Sequence, residues 1–115
     1  MQSRILVVDD ERDVVELVGF NLRAAGYKVE SAASGLECLN KARSGLPDLI
    51  ILDLMLPELD GTDVCEILRK LPSTASMPVL MLTACSSAAA KVVAFRAGVD
   101  DFITKPFSPQ DLLAG

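Results

Sequence analysis

At 115 residues, half of them hydrophobic, the chain is sized for one domain whose core needs no metal or disulfide staple. The formal net charge is −5 and no basic cluster occurs, which argues against nucleic-acid binding by these residues. Three cysteines, Cys38, Cys65 and Cys85, are odd in number and widely spaced in a chain without histidine, which fits neither a zinc site nor a secreted scaffold. Free thiols in a reducing cytoplasm are expected.

The first strand is read at residues 5–8, Ile-Leu-Val-Val, and runs directly into Asp9-Asp10-Glu11. A start this close to the amino terminus is too short and wrongly flanked for a signal peptide, and no apolar run approaches membrane-spanning length. A helical stripe follows in Val14, Val15, Leu17, Val18 and Leu22, closed at Gly26. A weaker strand at 29–33 leads to Ser34-Gly35-Leu36-Glu37, a capping box opening a second helix with Leu36, Leu39 and Ala42 on its apolar side and Gly45 at its end. The third strand, 49–52, ends in Asp53. A third stripe joins Val64, Ile67, Leu68 and Leu71. The fourth strand, 79–82, ends in Thr83-Ala84, and a fourth stripe of Val92, Val93, Phe95 and Ala97 closes at Gly98. A short fifth strand at 102–103 precedes Lys105-Pro106. Ser108-Pro109-Gln110-Asp111 then opens a fifth helix. That helix has barely begun at Gly115, so the expectation is one domain over residues 1–115, truncated within its fifth helix.

Strand alternating with helix argues for parallel βαβ units, an α/β doubly wound sheet. In such a sheet ligands bind outside the carboxyl ends of the strands. Those ends carry Asp9, Asp10, Asp53, Thr83 and Lys105. Crowded carboxylates repel unless a cation neutralises them, and a few hard oxygen ligands suit Mg²⁺. A carboxylate can attack phosphorus to give an acyl phosphate, with Mg²⁺ and an ammonium compensating the phosphoryl charge and a hydroxyl donating to it. Taken singly, Asp10 and Glu11 also read as loop or capping residues, Thr83 as a turn residue and Lys105 as a surface lysine; the set at matching strand ends is what points to chemistry.

These motifs resemble the receiver domain of two-component response regulators, CheY-like in fold. The likeness runs from Ile5–Glu11 through 48–57 and Asp60-Gly61 to Leu82-Thr83-Ala84 and Lys105-Pro106-Phe107. The resemblance implies a five-stranded parallel sheet in order 2-1-3-4-5, flavodoxin-like, with helices on both faces. It implies Asp53 as phosphoacceptor, Asp10 and the Met55 carbonyl as Mg²⁺ ligands beside Asp53, and Asp9 acting mostly through water. Thr83 would be the switch hydroxyl, Lys105 the phosphoryl partner, and the bond to Pro106 a cis-peptide candidate. Met55 and Cys85 match positions that tune dephosphorylation, although Cys85 also reads as a plain free thiol.

The stretch 98–108 resembles the OmpR/PhoB subgroup of transcription regulators. That implies a sensor histidine kinase as partner, an attached DNA-binding domain outside this chain, and a homodimer through the fourth helix, fifth strand and fifth helix, with Lys91, Asp100 and Asp101 as candidate contributors. Phe102 stands where the subgroup has a switch tyrosine. The domain would catalyse only its own aspartyl phosphorylation and dephosphorylation, as a soluble cytoplasmic switch rather than an enzyme acting on other substrates. A stand-alone receiver, a haloacid-dehalogenase-like phosphatase and an FMN-binding flavodoxin remain as rivals; the second lacks an acid at position 55 and the third lacks a Ser/Thr/Gly-rich loop after the first strand.

Overall fold

The computed structural model describes residues 3–84 and 87–105. The expected fifth helix, Cys85 and Pro106 lie outside them. The described elements are β1 (Arg4–Val8), α1 (Arg12–Ala24), β2 (Lys28–Ala32), α2 (Gly35–Gly45), β3 (Leu49–Leu52), α3 (Gly61–Lys70), β4 (Val79–Thr83), α4 (Ala88–Ala97) and β5 (Asp101–Thr104). The five strands form one parallel sheet in the order β2-β1-β3-β4-β5, as the resemblance implied.

Alternation along each strand divides the core between the two faces of the sheet. Ile5, Val7, Ile51, Leu80 and Leu82 pack with Val18 and Leu22 of α1. Leu6, Val8, Ile50, Leu52, Val79 and Met81 pack on the other face with Cys38, Leu39 and Ala42 of α2, Val64, Cys65 and Leu68 of α3, and Ala94 and Ala97 of α4. Central strands covered on both sides read as unbroken apolar runs, which is why β1, β3 and β4 stand out in the sequence. The flanking strands β2 and β5 are largely exposed or half-buried, and their sequence signal is correspondingly weak.

The capping box is present: Glu37 N donates to Ser34 Oγ at 3.2 Å, and the Glu37 carboxylate accepts from Ala33 N at 2.7 Å. Gly26 and Gly98 take the left-handed conformation expected of helix ends, at φ 98° and 108°. Gly45 does not; it remains helical, and Leu46 is the left-handed cap at φ 44°. Three stripes also need correction. Leu17 and Leu36 are exposed, Cys38 being buried in α2 instead. In α4 Val92, Val93 and Phe95 face solvent, and small residues, Ala94 and Ala97, make the buried face. Both sides of that helix are apolar, so periodicity could not choose between them. Among the described residues no helix is long and apolar enough to cross a membrane.

Candidate functional site

Register sets the site. Val8 pairs with Leu52 and Leu52 with Met81, so Asp9 and Asp53, each one residue beyond its strand, emerge side by side at the carboxyl edge. Asp9 N donates to Ala32 O at 3.1 Å and Asp53 N to Val8 O at 3.0 Å, which extends the ladder into both aspartates and fixes where their side chains start. Thr83 ends β4, the neighbour of β3, and is fully buried. Lys105 N donates to Thr83 O at 2.8 Å, holding the residue after β5 against β4.

Lys105 reaches across the strand ends to two buried carboxylates. Its Nζ lies 2.8 Å from Asp9 Oδ2 and 3.2 Å from Asp53 Oδ2, with the lysine side chain 14% exposed and the aspartates 3% and 5%. The second oxygens are also held: Asp9 Oδ1 accepts from Glu11 N at 2.9 Å, and Asp53 Oδ1 from Met55 N at 3.1 Å. Burial pushes the Asp9 carboxyl up despite its bonds to Lys105 and Glu11 N, and the neighbouring Asp53 charge pushes the same way. For Lys105 burial alone would favour the neutral amine, but the hydrogen bond to Asp9 and the charges of both aspartates outweigh it, so its pKa is raised and the ammonium persists.

Asp10 is exposed beside them, and ligand oxygens of Asp9, Asp10 and Asp53 all come within 4.8 Å of one another. Three carboxylates against one ammonium leave a net negative site of hard oxygen donors. This donor set fits a divalent ion of the Mg²⁺ type, which takes a few carboxylates and keeps several waters. On the β2 side of the trio lies an open cleft of about 350 Å³, lined in part by Asp10, Arg12, Ser31, Glu37 and Lys41.

The loop after β3 is shaped by close approach. Gly61 opens α3 directly against the strand end, where a Cβ at this position would come 2.3 Å from Asp53 O. Gly61 N donates to Leu54 O at 2.8 Å, and Asp60 caps the helix by accepting from Asp63 N at 3.0 Å and from the Thr62 hydroxyl at 2.6 Å. The sequence quoted Asp60-Gly61 as a motif without seeing this contact. Glu11, taken singly, reads in the sequence as a loop or capping residue. Glu11 is the residue before α1 but makes no side-chain cap bond, and its carboxylate lies 3.8 Å from Lys105 Nζ at the mouth of the site.

The structure therefore gathers Asp9, Asp10, Asp53 and Lys105, with Thr83 at the adjoining strand end. The Met55 side chain is exposed while its amide serves Asp53. Phe102 lies apart from the carboxylates, half-buried against the core, its ring centroid 6.5 Å from that of Phe95 and 5.7 Å from Lys91 Nζ. Asp100 is engaged within its own chain: its carboxylate accepts from Val79 N at 2.8 Å and pairs with Arg69 at 3.0 Å.

Comparison with known proteins gives one answer. The family model for the response regulator receiver domain matches residues 5–115. The chain is 48% identical over 114 residues to the alkaline phosphatase synthesis transcriptional regulatory protein PhoP of Bacillus subtilis, covering 99% of this chain and 47% of that protein. It is 46% identical over 115 residues to response regulator MprA of Mycobacterium bovis, covering 99% and 49%. The chain thus spans about half the length of the curated relatives it matches. These relatives bear out the likeness to the OmpR/PhoB subgroup. Among solved structures, chemotaxis protein CheY4 of Vibrio cholerae aligns with a TM-score of 0.94 at 34% identity, over 99% of this chain and 95% of that one. The BeF3-activated DrrB receiver domain aligns with a TM-score of 0.88 at 32% identity, over 99% and 93%.

Proposed function

We propose that this chain, which belongs to the response regulator receiver domain family, accepts a phosphoryl group on Asp53 from a histidine kinase and uses it to re-pose an output surface. The observation that carries this reading is the sharing of Lys105 between Asp9 and Asp53 beside the exposed Asp10. It leaves one reactive carboxylate flanked by an ammonium and by two further oxygen ligands.

Asp10, Asp53 and the Met55 carbonyl would hold Mg²⁺, with Asp9 acting through water. The ion supplies charge neutralisation for the phosphoryl oxygens when bound. A carboxylate oxygen of Asp53 attacks the phosphorus, an O–P bond forms, and the P–N bond to the donor imidazole breaks with its electron pair returning to the ring. Lys105 then pairs with a phosphoryl oxygen, and the Thr83 hydroxyl donates to another. Hydrolysis reverses the modification when water attacks phosphorus and the acyl-phosphate O–P bond breaks, returning the carboxylate. The domain turns over no other substrate.

Phosphorylation adds charge and acceptor oxygens at the sheet edge and biases a two-state element. Thr83 moves toward the phosphoryl group and Phe102, behind it on β5, rotates into the space released. Curated relatives are named as transcriptional regulators and run about twice this length, which supports an attached DNA-binding domain as the output. The BeF3-activated likeness supports a phosphoryl-type trigger. The test is incorporation from a labelled phosphodonor with and without Mg²⁺, on the native chain and on Asp53→Ala. Incorporation only in the native chain, and only with Mg²⁺, is expected; equal incorporation in both proteins removes Asp53 from the role.

A further inference from the structure

At the edge of the sheet opposite the carboxylates, Arg69 in the last turn of α3 joins four separate pieces of chain. Its Nε and Nη2 donate to Gly98 O at 3.0 and 2.7 Å, and its Nη1 donates to Met77 O at 2.6 Å and Ala75 O at 3.2 Å. Nη2 also meets Asp100 Oδ2 at 3.0 Å, and that same oxygen accepts from Val79 N at 2.8 Å. Asp100 N returns a bond to Val79 O at 2.8 Å. Gly98, left-handed at φ 108°, lies so close that a Cβ there would come 2.9 Å from Arg69 Cγ. The guanidinium thus ties the end of α4 and the start of β5 to the end of α3 and the start of β4. Only a planar fork with fixed donor directions satisfies that many acceptors at once.

The rest of α4 is held differently. Ala94, Ala97 and the following Val99 are buried, whereas Ala88, Ala89, Lys91, Val92 and Val93 are all exposed. The helix is packed at its carboxyl end and only lightly at its amino end, the end that follows Thr83 in the chain. α3 carries Arg69 at one terminus and abuts Asp53 O through Gly61 at the other.

We propose that Arg69 fixes the carboxyl end of α4 as a pivot, so that a rearrangement at Thr83 swings the helix's amino half, with Val92 and Val93, while residues 98–100 stay in place. This rests on the phosphoryl-switch reading above. Arg69 is on this view a positioning residue for the output surface: it decides which part of α4 responds and leaves the reaction at Asp53 alone.

Hydrogen–deuterium exchange on the intact protein tests it, comparing native with Arg69→Lys, each free and with beryllium fluoride plus Mg²⁺. Lysine keeps the charge and loses the fork. In the free proteins Arg69→Lys is expected to speed exchange about tenfold across residues 94–100 and to leave residues 49–52 unchanged. On adding beryllium fluoride, native exchange changes across residues 88–93 and holds at 98–100, whereas in Arg69→Lys the change reaches 98–100. Asp100→Asn, which keeps an acceptor for Val79 N, gives a smaller effect in the same place. A ligand response already present at 98–100 in the native protein overturns the pivot, as does Arg69→Lys exchange that rises in every element alike. If beryllium fluoride changes nothing anywhere in the native protein, the phosphoryl reading fails. The free-state comparison then still decides the anchor: a rise confined to 94–100 supports it, and equal exchange in both proteins overturns it.

Discussion

The two edges of β4 and β5 are each organised around one cation, and the cations are of different kinds. At the carboxyl edge Lys105 sits among side-chain carboxylates, Asp9, Asp53 and the more distant Glu11. At the amino edge Arg69 sits among backbone carbonyls and one carboxylate. An ammonium is a point charge on a flexible stem that can exchange one oxygen for another, and carboxylates can trade it for a metal or a phosphoryl group. A guanidinium fork bound to main-chain oxygens has no comparable alternative. The contrast places adjustable electrostatics where a ligand would arrive and a fixed knot where the helices must keep their spacing.

The largest effect expected would break or establish this contrast directly. Lys105→Ala leaves two buried carboxylates without their cation and should cost about 3 kcal/mol in EDTA. Arg69→Ala, which abandons several carbonyls and a carboxylate, should cost about as much, again about 3 kcal/mol. Urea midpoints with and without millimolar Mg²⁺ then separate them. The gain from Mg²⁺ should exceed the native gain in Lys105→Ala, whose site is more negative, and match the native gain in Arg69→Ala. Equal gains in the two variants would dissolve the distinction.

Gly61→Ala probes whether the adjustable edge has a rigid floor. Its Cβ would meet backbone, Asp53 O at 2.3 Å, and not a side chain that can turn aside, so a loss of about 3 kcal/mol is expected by thermal or urea unfolding. A smaller cost would mean that the loop after β3 yields. Asp60 offers a milder probe of the same loop. Burial opposes ionisation of its carboxyl, but the bonds from the Thr62 hydroxyl and the Asp63 and Thr62 amides more than offset this, and its pKa is lowered from 3.8. Since the folded value lies below the unfolded one, its stabilisation is present above pH 3.8 and is lost as pH falls through the folded value. Asp60→Ala should therefore cost about 1 kcal/mol at pH 7, and the gap from native should close in acid titrations of stability. The smallest effect is a gain. Leu46 is exposed and left-handed, so Leu46→Gly should stabilise by about 0.5 kcal/mol, read from the shift in urea midpoint.

Residue 46 also shows where sequence reading stops. Gly26 and Gly98 were correctly assigned left-handed ends because glycine is the cheapest residue there, and the same rule misassigned Gly45, which is itself the last helical residue and leaves the left-handed cap to Leu46. The central strands were legible because burial on both faces leaves unbroken apolar runs, and those of β1 and β3 end abruptly in Asp9 and Asp53. The convergence of Asp9, Asp10, Asp53 and Lys105 followed once parallel order was inferred. Arg69 was invisible for the opposite reason. In the sequence it is an ordinary cation in the last turn of a helix, and its partners Gly98 and Asp100 lie 29 and 31 residues on, with no periodic pattern linking them. Lys91, Asp100 and Asp101 became candidates for an interface only through the subgroup resemblance; within the chain Asp100 meets Arg69 and Val79 N, and Asp101 Oδ1 accepts from Phe102 N.

The seat of Gly61 against Asp53 has a use at the bench. With no side chain able to intervene, the first turn of α3 and the tip of β3 must travel as one piece. A fluorinated or paramagnetic reporter at exposed Asp63 would then register displacements of the strand tip from a helix that solvent can reach, leaving the carboxylates untouched.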